Sequence, residues 1–258
     1  MAYSTISKPG LHFNTKLYNG TGSSNAVTGV GFQPDFTWIK RRNSATNHHL
    51  HNAISGATKV LYSNSTGAES TDAQKLSSFD SDGFTVGTNG DANNSSGTFV
   101  SWNWKANGAG SANTDGSINS TVSVNTTAGF SIVSYTGNGS STATVGHGLG
   151  VTPAMIIIKN RTEATSWCVT HKSLTTDKVL RLEGTNAEGD IGDGELDSPP
   201  NNSSTFGFNN GTSGTPLKVV NESSDNYIAY CFAEKKGYSK FGTYTGNGTS
   251  GVDGAGDG

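Results

Sequence analysis

The strongest constraint on this chain is that two long stretches of its sequence repeat. Residues 18–22 read Tyr-Asn-Gly-Thr-Gly and residues 135–139 read Tyr-Thr-Gly-Asn-Gly, and each motif precedes an apolar stretch that a proline opens. Within that stretch, Lys40 and Lys159 both stand six positions after the proline. A third copy of the motif occupies residues 244–248. Repetition at this scale predicts an array of one β module, and it favours a structural or adhesive protein over an enzyme.

The spacing of the motif predicts how the 258 residues divide. The motif begins at positions 18, 135 and 244, so its intervals are 117 and 109 residues, and either length suits a single domain. Residues 1–107 are therefore predicted as the first β-sandwich repeat and residues 122–237 as the second. Residues 108–121 are expected to form a flexible linker. Residues 238–258 read as the start of a truncated third repeat, so we expect the chain to be the front part of a longer protein.

Composition predicts an all-β fold. Only 14% of the residues are charged, 35 are glycine, and short runs of branched and aromatic residues alternate with Gly-Asn-Ser turns. Such side chains fit a pleated strand, so each repeat is expected to be an antiparallel β-sandwich of jelly-roll or lectin-like type. An immunoglobulin-like sandwich is the alternative, because strand order cannot be read from periodicity. Almost no helix is expected, and residues 68–74 are the best helical candidate.

Comparison of the two repeats predicts which face of each strand is buried. Residues 98–104 align with residues 226–232, and residues 36–38 align with residues 155–157. Since successive side chains on a strand point to opposite faces, alternate positions share a face, and one face is apolar in both copies. We expect this shared apolar face to form the core of each repeat. Its members are Phe36, Trp38, Val100, Trp102 and Trp104 in the first repeat and Met155, Ile157, Ile228, Tyr230 and Phe232 in the second.

Charge and hydropathy exclude several classes of protein. The formal net charge is −3, and no basic cluster exceeds Lys40, Arg41 and Arg42, so the positive stripe that nucleic-acid binding needs is missing. No apolar run reaches the roughly 20 residues of a membrane span, and the first residues lack the pattern of a secretory signal. We expect neither nucleic acid as a partner nor insertion into a membrane. Cys168 and Cys231 are expected to be free, packed thiols.

Residues of the catalytic and metal-ligating types are present, but they are scattered. No Gly-x-Ser-x-Gly motif occurs, and neither His147 nor His171 has a histidine at its matched position in the first repeat. A nucleophilic triad is therefore not expected. His48, His49 and His51 could place two ligands on one strand face, whereas a zinc site needs four. We interpret this cluster as a half-exposed strand whose histidines point outward.

Two acidic loops, a glycine-rich loop and the tryptophans have structural interpretations as well. Residues 80–83 and 190–197 carry two and four carboxylates, but neither loop has the full twelve-residue calcium pattern. Residues 146–150 read Gly-His-Gly-Leu-Gly, and a strand follows instead of a helix, so a turn is predicted and not a phosphate-binding loop. The repeat places three tryptophans in the core and leaves Trp167 undetermined. The sequence therefore predicts no catalytic, cofactor-binding or metal site.

Four stretches resemble a repeat family found in bacteriophages, especially those of marine bacteria. They are residues 79–84 (Phe-Asp-Ser-Asp-Gly-Phe), 99–105 (Phe-Val-Ser-Trp-Asn-Trp-Lys), 135–139 (Tyr-Thr-Gly-Asn-Gly) and 230–242 (Tyr-Cys-Phe-Ala-Glu-Lys-Lys-Gly-Tyr-Ser-Lys-Phe-Gly). The resemblance spans essentially the whole chain. Proteins of that family usually carry three modules and are described as virion structural or tail-fibre-like, and no catalytic motif accompanies them.

The resemblance implies a non-enzymatic virion structural protein of a tailed phage, assembled in the host cytoplasm. A tail fibre or another surface appendage involved in host attachment is expected. Because sandwich edges need covering, we expect association with copies of the same chain as a trimer. Other virion proteins and a host surface glycan are the further expected partners. The alternatives are a capsid decoration or head-fibre protein and a carbohydrate-binding, lectin-like module. A depolymerase ranks last, because it needs a cleft with paired carboxylates.

Overall fold

The structure is a computed structural model that describes residues 6–190, 195–209 and 218–247. Strands hold 41% of the chain and helices 3%, so the predicted all-β fold with almost no helix is confirmed. The helices are a short 3-10 turn, Pro9–Leu11, and α1, Gly90–Asn93. Residues 68–74, the best helical candidate of the sequence, form no helix and contain a two-residue strand.

The strands divide between the two predicted repeats. In the first repeat they are β1 (Phe13–Asn19), β2 (Asn25–Thr28), β3 (Phe36–Arg41), β4 (His49–Asn52), β5 (Lys59–Tyr62), β6 (Ser70–Thr71), β7 (Leu76–Asp80), β8 (Gly83–Val86) and β9 (Thr98–Trp104). Thereafter they are β10 (Ser111–Asn113), β11 (Ser120–Asn125), β12 (Phe130–Thr136), β13 (Thr144–Gly146), β14 (Met155–Asn160), β15 (Cys168–His171), β16 (Lys178–Arg181), β17 (Gly189–Asp190), β18 (Glu195–Leu196), β19 (Thr205–Asn209) and β20 (Asn226–Phe232).

These strands form four antiparallel sheets, one large and one small sheet per repeat. Main sheet 1 has the order β1-β9-β3-β4-β5-β6, and main sheet 2 has the order β10-β11-β12-β20-β14-β15-β16-β17. Cover sheet 1 is β2-β8-β7 and cover sheet 2 is β13-β19-β18. Apart from the two extra strands at the edge of main sheet 2, the two repeats have the same strand order. The sequence repeat is therefore a repeat of topology.

The register of the two main sheets is also the same. Val100 of β9 lies beside Lys40 of β3, and Ile228 of β20 lies beside Lys159 of β14. These four residues are the ones that the sequence alignment matches. Each aligned residue of the central strands therefore occupies the same position in its own sheet.

The four sheets stack in layers with three apolar cores between them. Cover sheet 1 packs on main sheet 1, the two main sheets pack on each other, and main sheet 2 packs on cover sheet 2. Burial of each large apolar side chain in such a core stabilises the fold by about 1.5–3 kcal/mol. The cores include Val27, Ile39, Phe84 and Phe99 in the first; Phe36, Leu50, Trp167 and Tyr230 between the main sheets; and Tyr135, Ile158, Phe206 and Tyr227 in the third.

The shared apolar face lies between the two main sheets and not inside each sandwich. Phe36, Ile157 and Tyr230 are buried there, so their predicted burial is confirmed, but the predicted location is wrong. The opposite face lines each sandwich interior, where Ser101 and Cys231 are fully buried. Most of both faces of each main sheet is covered, so alternation does not separate a core face from a solvent face. The shared face is apolar in both copies because each copy packs against the other.

Two segments differ from the predicted domain division. Residues 108–121, expected to be a flexible linker, contain β10 and the start of β11, and these strands extend main sheet 2 beyond β12. Residues 238–247, expected to begin a third repeat with a strand, make one isolated bridge, between Lys235 and Ser239, and form no named strand. Residues 248–258, the rest of the predicted third repeat, lie outside the described residues.

Polar contacts also join the two repeats. The Trp167 indole, which is fully buried, donates hydrogen bonds to the carbonyls of Tyr62 (3.0 Å) and Ser65 (3.1 Å). The Arg161 guanidinium binds both carboxylate oxygens of Glu69, at 2.8 and 2.9 Å, and the Glu69 amide donates to the Arg161 carbonyl at 3.0 Å. Both side chains of this pair are largely covered. The repeats are thus held by directional bonds as well as by the core between the main sheets.

Cys168 and Cys231 are buried in main sheet 2 as thiols that form no disulfide bond, as the sequence predicts. Cys168 lies on β15 beside Ile158, and Cys231 lies on β20 beside Ile156, so β14 separates them. Burial raises the pKa of the Cys231 thiol to about 12, which keeps this thiol protonated at neutral pH. The cysteines therefore pack as small apolar side chains.

Candidate functional site

The repeated Tyr-x-Gly-x-Gly motif forms a structural clasp around a buried asparagine in each repeat. In the first repeat, the Tyr18 hydroxyl donates to the Ala92 carbonyl at 2.8 Å, and the Gly22 amide donates to the Asn93 carbonyl at 2.8 Å. The Thr21 amide donates to the Asn93 side-chain oxygen at 2.9 Å. Asn93 itself is fully buried. The motif therefore fixes the loop that precedes β9.

The second repeat makes the same clasp with different neighbouring residues. The Tyr135 hydroxyl donates to the Val220 carbonyl at 2.5 Å, and the Gly139 amide donates to the Asn221 carbonyl at 2.9 Å. The Asn138 amide donates to the side-chain oxygen of Asn221, which is fully buried. The sequence motif that first revealed the repeat is thus a packing device.

The glycines of the clasp are required by close approach and by backbone conformation. A Cβ atom on Gly20 would lie 2.0 Å from the Asn94 carbonyl oxygen, and one on Gly137 would lie 2.1 Å from that of Glu222. Both distances are far below van der Waals contact. Gly139, the second glycine of the motif in the second repeat, has a positive φ (73°), a backbone conformation that residues other than glycine rarely adopt.

The third copy of the motif has no clasp within the described residues. Tyr244 is 95% exposed, and a Cβ atom on Gly246 would meet nothing within 4 Å. Its two counterparts, Tyr18 and Tyr135, instead pack against aromatic rings in the cores of their own repeats.

The histidine cluster of the first repeat is a buried part of β4. His49 and His51 are fully buried on the side of cover sheet 1, so the prediction that they point outward is wrong. The Nδ1 atom of His51 lies 2.9 Å from the carbonyls of Ala57 and Lys59. Neither ring nitrogen of His49 has a hydrogen-bond partner within the described residues. Burial lowers the pKa of His49 to about 3 and that of His51 to about 4, so both rings are neutral at pH 7.

The acidic turn after β7 is satisfied by intramolecular hydrogen bonds. The Asp80 carboxylate accepts from the hydroxyls of Ser78 and Thr85, at 2.8 and 2.7 Å. The Asp82 carboxylate accepts from the amides of Gly29 and Gly31, at 2.9 and 2.6 Å. These two amides lower the pKa of Asp82. Both carboxylates therefore fix turns of the first repeat.

Within the described residues, the second acidic loop and the metal candidates give no assembled site. Residues 191–194, in the middle of the loop at 190–197, lie outside the described residues. Burial raises the pKa of the Asp197 carboxyl, with a smaller contribution from Asp177. Within residues 6–190, 195–209 and 218–247, no group of three or more His, Cys, Asp or Glu side chains could hold a metal ion.

The glycine-rich loop at residues 146–150 is a turn between β13 and β14, as the sequence predicts. Gly148 and Gly150 both have positive φ values, 69° and 70°. His147 is fully buried within this loop, and its Nδ1 atom accepts from the Leu149 amide at 3.2 Å. His171 lies at the end of β15, where its Nδ1 atom accepts from the Ser173 amide. The two histidines belong to separate turns, and each has a local structural partner.

The tryptophans lie in or next to the core between the two main sheets. Trp38 and Trp104, predicted in the core, are half-buried and pack against the core between the main sheets. Trp102, also predicted in the core, is half-buried and lies edge-on to Trp38 at 6.3 Å. Trp167, which the sequence left undetermined, is fully buried in that core.

An apolar cleft of about 340 Å³ opens where the two main sheets meet, and it is the best candidate for a functional site. Both repeats line this aromatic cleft, with Trp38 and Trp104 from main sheet 1 and Phe130 and Phe232 from main sheet 2. Phe241, from the segment after β20, completes the wall. The signal for this site in the sequence was the shared apolar face, interpreted there as the core of each repeat.

Three of the polar side chains beside the aromatic cleft take part in hydrogen bonds. The Trp38 indole donates to His48 Nδ1 at 3.2 Å, and the Tyr230 hydroxyl accepts from the Asn52 amide at 3.3 Å. The Ser239 hydroxyl donates to the Ala233 carbonyl at 3.1 Å. The cleft therefore presents mainly carbon surface, which suits the packing of apolar groups better than acid–base or nucleophilic chemistry.

The helices within the described residues do not have the length and apolar character that crossing a bilayer requires.

Over residues 8–255 the chain matches the protein family described as "Domain of unknown function (DUF7483)", and it belongs to that family. This match runs through both repeats and the third copy of the motif. No curated protein and no solved structure matches the chain.

Proposed function

We propose that this chain is a non-enzymatic structural protein of a tailed bacteriophage, assembled in the host cytoplasm and incorporated in the virion. Its place is a tail fibre or another surface appendage that takes part in host attachment. The observation that carries the proposal is the structural role of the residues that repeat in the two copies. The clasp motif and the shared apolar face, which together define the repeat, both serve packing.

The architecture suits a protein exposed on a particle. Stacked sheets with a core between the repeats give a stiff body without a long linker, and some of the charged residues take part in turns and ion pairs. The bidentate pair of Arg161 and Glu69 is one such contact across the repeats. A stiff body keeps an attachment surface at a fixed distance from the particle, so attachment does not lose entropy in a flexible tether.

The proposed partners are other copies of this chain, as a trimer, together with other virion proteins and a host surface glycan. Several copies on one particle would turn weak contacts with a host surface into strong attachment through avidity. Trp38 and Trp102 are half-buried aromatic side chains of the shared face, and a glycan could stack on their accessible parts.

Immunogold labelling of purified particles tests the proposal. Antibodies raised against the folded chain are expected to label intact virions at the tail or its appendages. Detection of the chain in lysates of infected cells, with none in purified virions, would refute a structural role. A phage protein known to be absent from the virion serves as the control for carry-over of lysate proteins.

The position of the label also separates the alternatives. Label on the head would replace the tail-fibre assignment by a capsid decoration or head-fibre protein. A carbohydrate-binding module is the further candidate, because Trp38 and Trp102 are partly accessible and aromatic rings stack on sugars. Binding to a glycan array that is lost in Trp102→Ala would favour that candidate.

A further inference from the structure

One end of the shared apolar face on main sheet 1 is open to solvent. Leu17 of β1 lies beside Val100 of β9, and Trp102 of β9 lies beside Trp38 of β3 in the next row of the same face. We call these four side chains the apolar strip. Leu17 is 58% exposed, and the other three are half-buried.

The second repeat provides an internal comparison for the strip. Ile228 and Tyr230 of β20 stand where Val100 and Trp102 stand in β9, and both are buried in the core between the main sheets. Ile157, the counterpart of Trp38, is also buried there. The positions of Val100, Trp102 and Trp38 are therefore covered in the second repeat and half-covered in the first, whereas Ser134, the counterpart of Leu17 on β12, is half-buried.

Lys40 lies beside Val100 of the strip, and its charge is held as that of its counterpart is in the covered copy. The Lys40 ammonium donates to the carbonyls of Ser44 and Thr46, at 3.2 and 3.1 Å. Its counterpart Lys159 donates to the carbonyls of Asn160 and Glu163 and is fully buried. The pKa of Lys159 is lowered to about 8 by this burial. The Lys40 ammonium therefore already makes two hydrogen bonds to backbone carbonyls, as the Lys159 ammonium does in the buried copy.

The strip is continuous with an interface formed by two copies of the same module. Trp38 belongs to the strip and also lines the aromatic cleft, where main sheet 1 meets main sheet 2. In that interface, the shared face of one repeat packs on the shared face of another. The shared face already packs against the shared face of the other repeat within the chain. The part of it that is left open is therefore suited to contact the same face of a further chain.

We propose that the apolar strip binds another copy of this chain. The proposal rests on the self-association included in the proposed function, and it names the surface that mediates it. Burial of Leu17, Val100 and Trp102 against a second strip would remove the exposed apolar area that main sheet 1 leaves at this end. The occupant is the same strip of the neighbouring copies, and in a trimer these strips meet around the three-fold axis.

Analytical ultracentrifugation of the whole chain across a range of concentrations tests the proposal. The wild-type chain is expected to exceed its single-chain mass of 26.7 kDa as the concentration rises. Leu17→Lys should weaken this association by at least about tenfold, because a buried leucine is replaced by a charge. Val151→Lys is the matched control: Val151 is 41% exposed but lies in the loop before β14, away from the strip, so association should remain as in wild type.

Cysteine cross-linking locates the contact independently of affinity. Leu17→Cys is expected to give cross-linked chains on mild oxidation, and Val151→Cys is expected to give none, since the native cysteines are buried. A wild-type chain that stays at single-chain mass, equal weakening by the two lysine substitutions, or equal cross-linking of the two cysteine variants would overturn the proposal. Glycan binding by a single-chain species that requires Trp102 would also overturn it. The location of the protein in the virion is decided separately by particle labelling.

Discussion

Asn93 and Asn221 show how single residues hold each repeat together. Each is fully buried, and each binds a backbone amide of the clasp motif that lies 72 or 83 positions away in the chain. The motif itself was visible in the sequence because it repeats. Its role was not, since an asparagine so distant in the chain gives no local pattern. The burial of His49 and His51 could not be predicted either, because the polar sequence of their strand does not indicate that cover sheet 1 packs on it.

Substitution of a clasp glycine is expected to destabilise the fold strongly. Gly137→Ala would place a Cβ atom 2.1 Å from the Glu222 carbonyl oxygen, and the backbone must move to relieve the clash. We expect the free energy of unfolding, measured by urea denaturation, to fall by about 2–4 kcal/mol. Gly242→Ala, at a site where the Cβ atom meets nothing within 4 Å, is the control and should change it by less than about 0.5 kcal/mol. Equal stability of the two variants would contradict the clasp.

The buried histidines predict loss of stability in acid. The folded-state pKa values of His49 and His51, about 3 and about 4, lie below the ordinary value of 6.5. Below pH 6.5 the unfolded chain binds protons that the folded chain does not, so stability is complete above pH 6.5 and declines as the pH falls towards 4. The expected loss at pH 5 is about 2 kcal/mol for each histidine. Urea denaturation at a series of pH values measures it.

Paired leucine substitutions separate the two histidines. His49→Leu should flatten the acid dependence and leave stability at pH 7 equal or higher, because neither ring nitrogen has a partner within the described residues. His51→Leu should lower stability at pH 7 by about 1–3 kcal/mol, since its hydrogen bonding to the Ala57 and Lys59 carbonyls is lost. An unchanged acid dependence in both variants would refute this explanation.

At the scale of the elements, the sequence predicted the central strands well and the edges poorly. Residues 98–104 and 226–232 were aligned by alternation, and β9 and β20 occupy equivalent positions with the same register. Residues 108–121 were predicted as a flexible linker because glycine, serine and asparagine dominate them, yet they add β10 and the start of β11 to main sheet 2. Pairing with a preformed sheet edge outweighs the weak intrinsic propensity of such residues.

The ion pair between the repeats is expected to couple them measurably. Both oxygens of Glu69 bind the Arg161 guanidinium, and both side chains are largely covered. A double-mutant cycle with Glu69→Ala and Arg161→Ala should give a coupling energy of about 1–3 kcal/mol in urea denaturation. Lys218 and Glu163, an ion pair within the second repeat whose side chains are about half exposed, provide the control cycle, with an expected coupling below about 1 kcal/mol. Equal coupling in the two cycles would contradict the role of the first pair.

For the whole molecule, composition and repetition predicted the fold class but not the way in which the repeats are joined. The face that is apolar in both repeats is predicted from the sequence to form the core of each repeat. In the structure Ile228 and Ala229, neighbours on opposite faces of β20, are both fully buried. When a sheet is covered on both sides, its sequence does not distinguish a core face from a solvent face, because polar and small residues such as Ser101 also line the interior of the sandwich.

Calorimetry of the whole chain tests the central claim, that the shared apolar face joins the two repeats into one cooperative body. We expect a single unfolding transition whose calorimetric enthalpy equals its van't Hoff enthalpy. Tyr230→Ala, which removes a fully buried ring from the core between the main sheets, should lower the temperature of that whole transition. Two separate transitions in the wild-type chain, with only one of them moved by the substitution, would contradict the account.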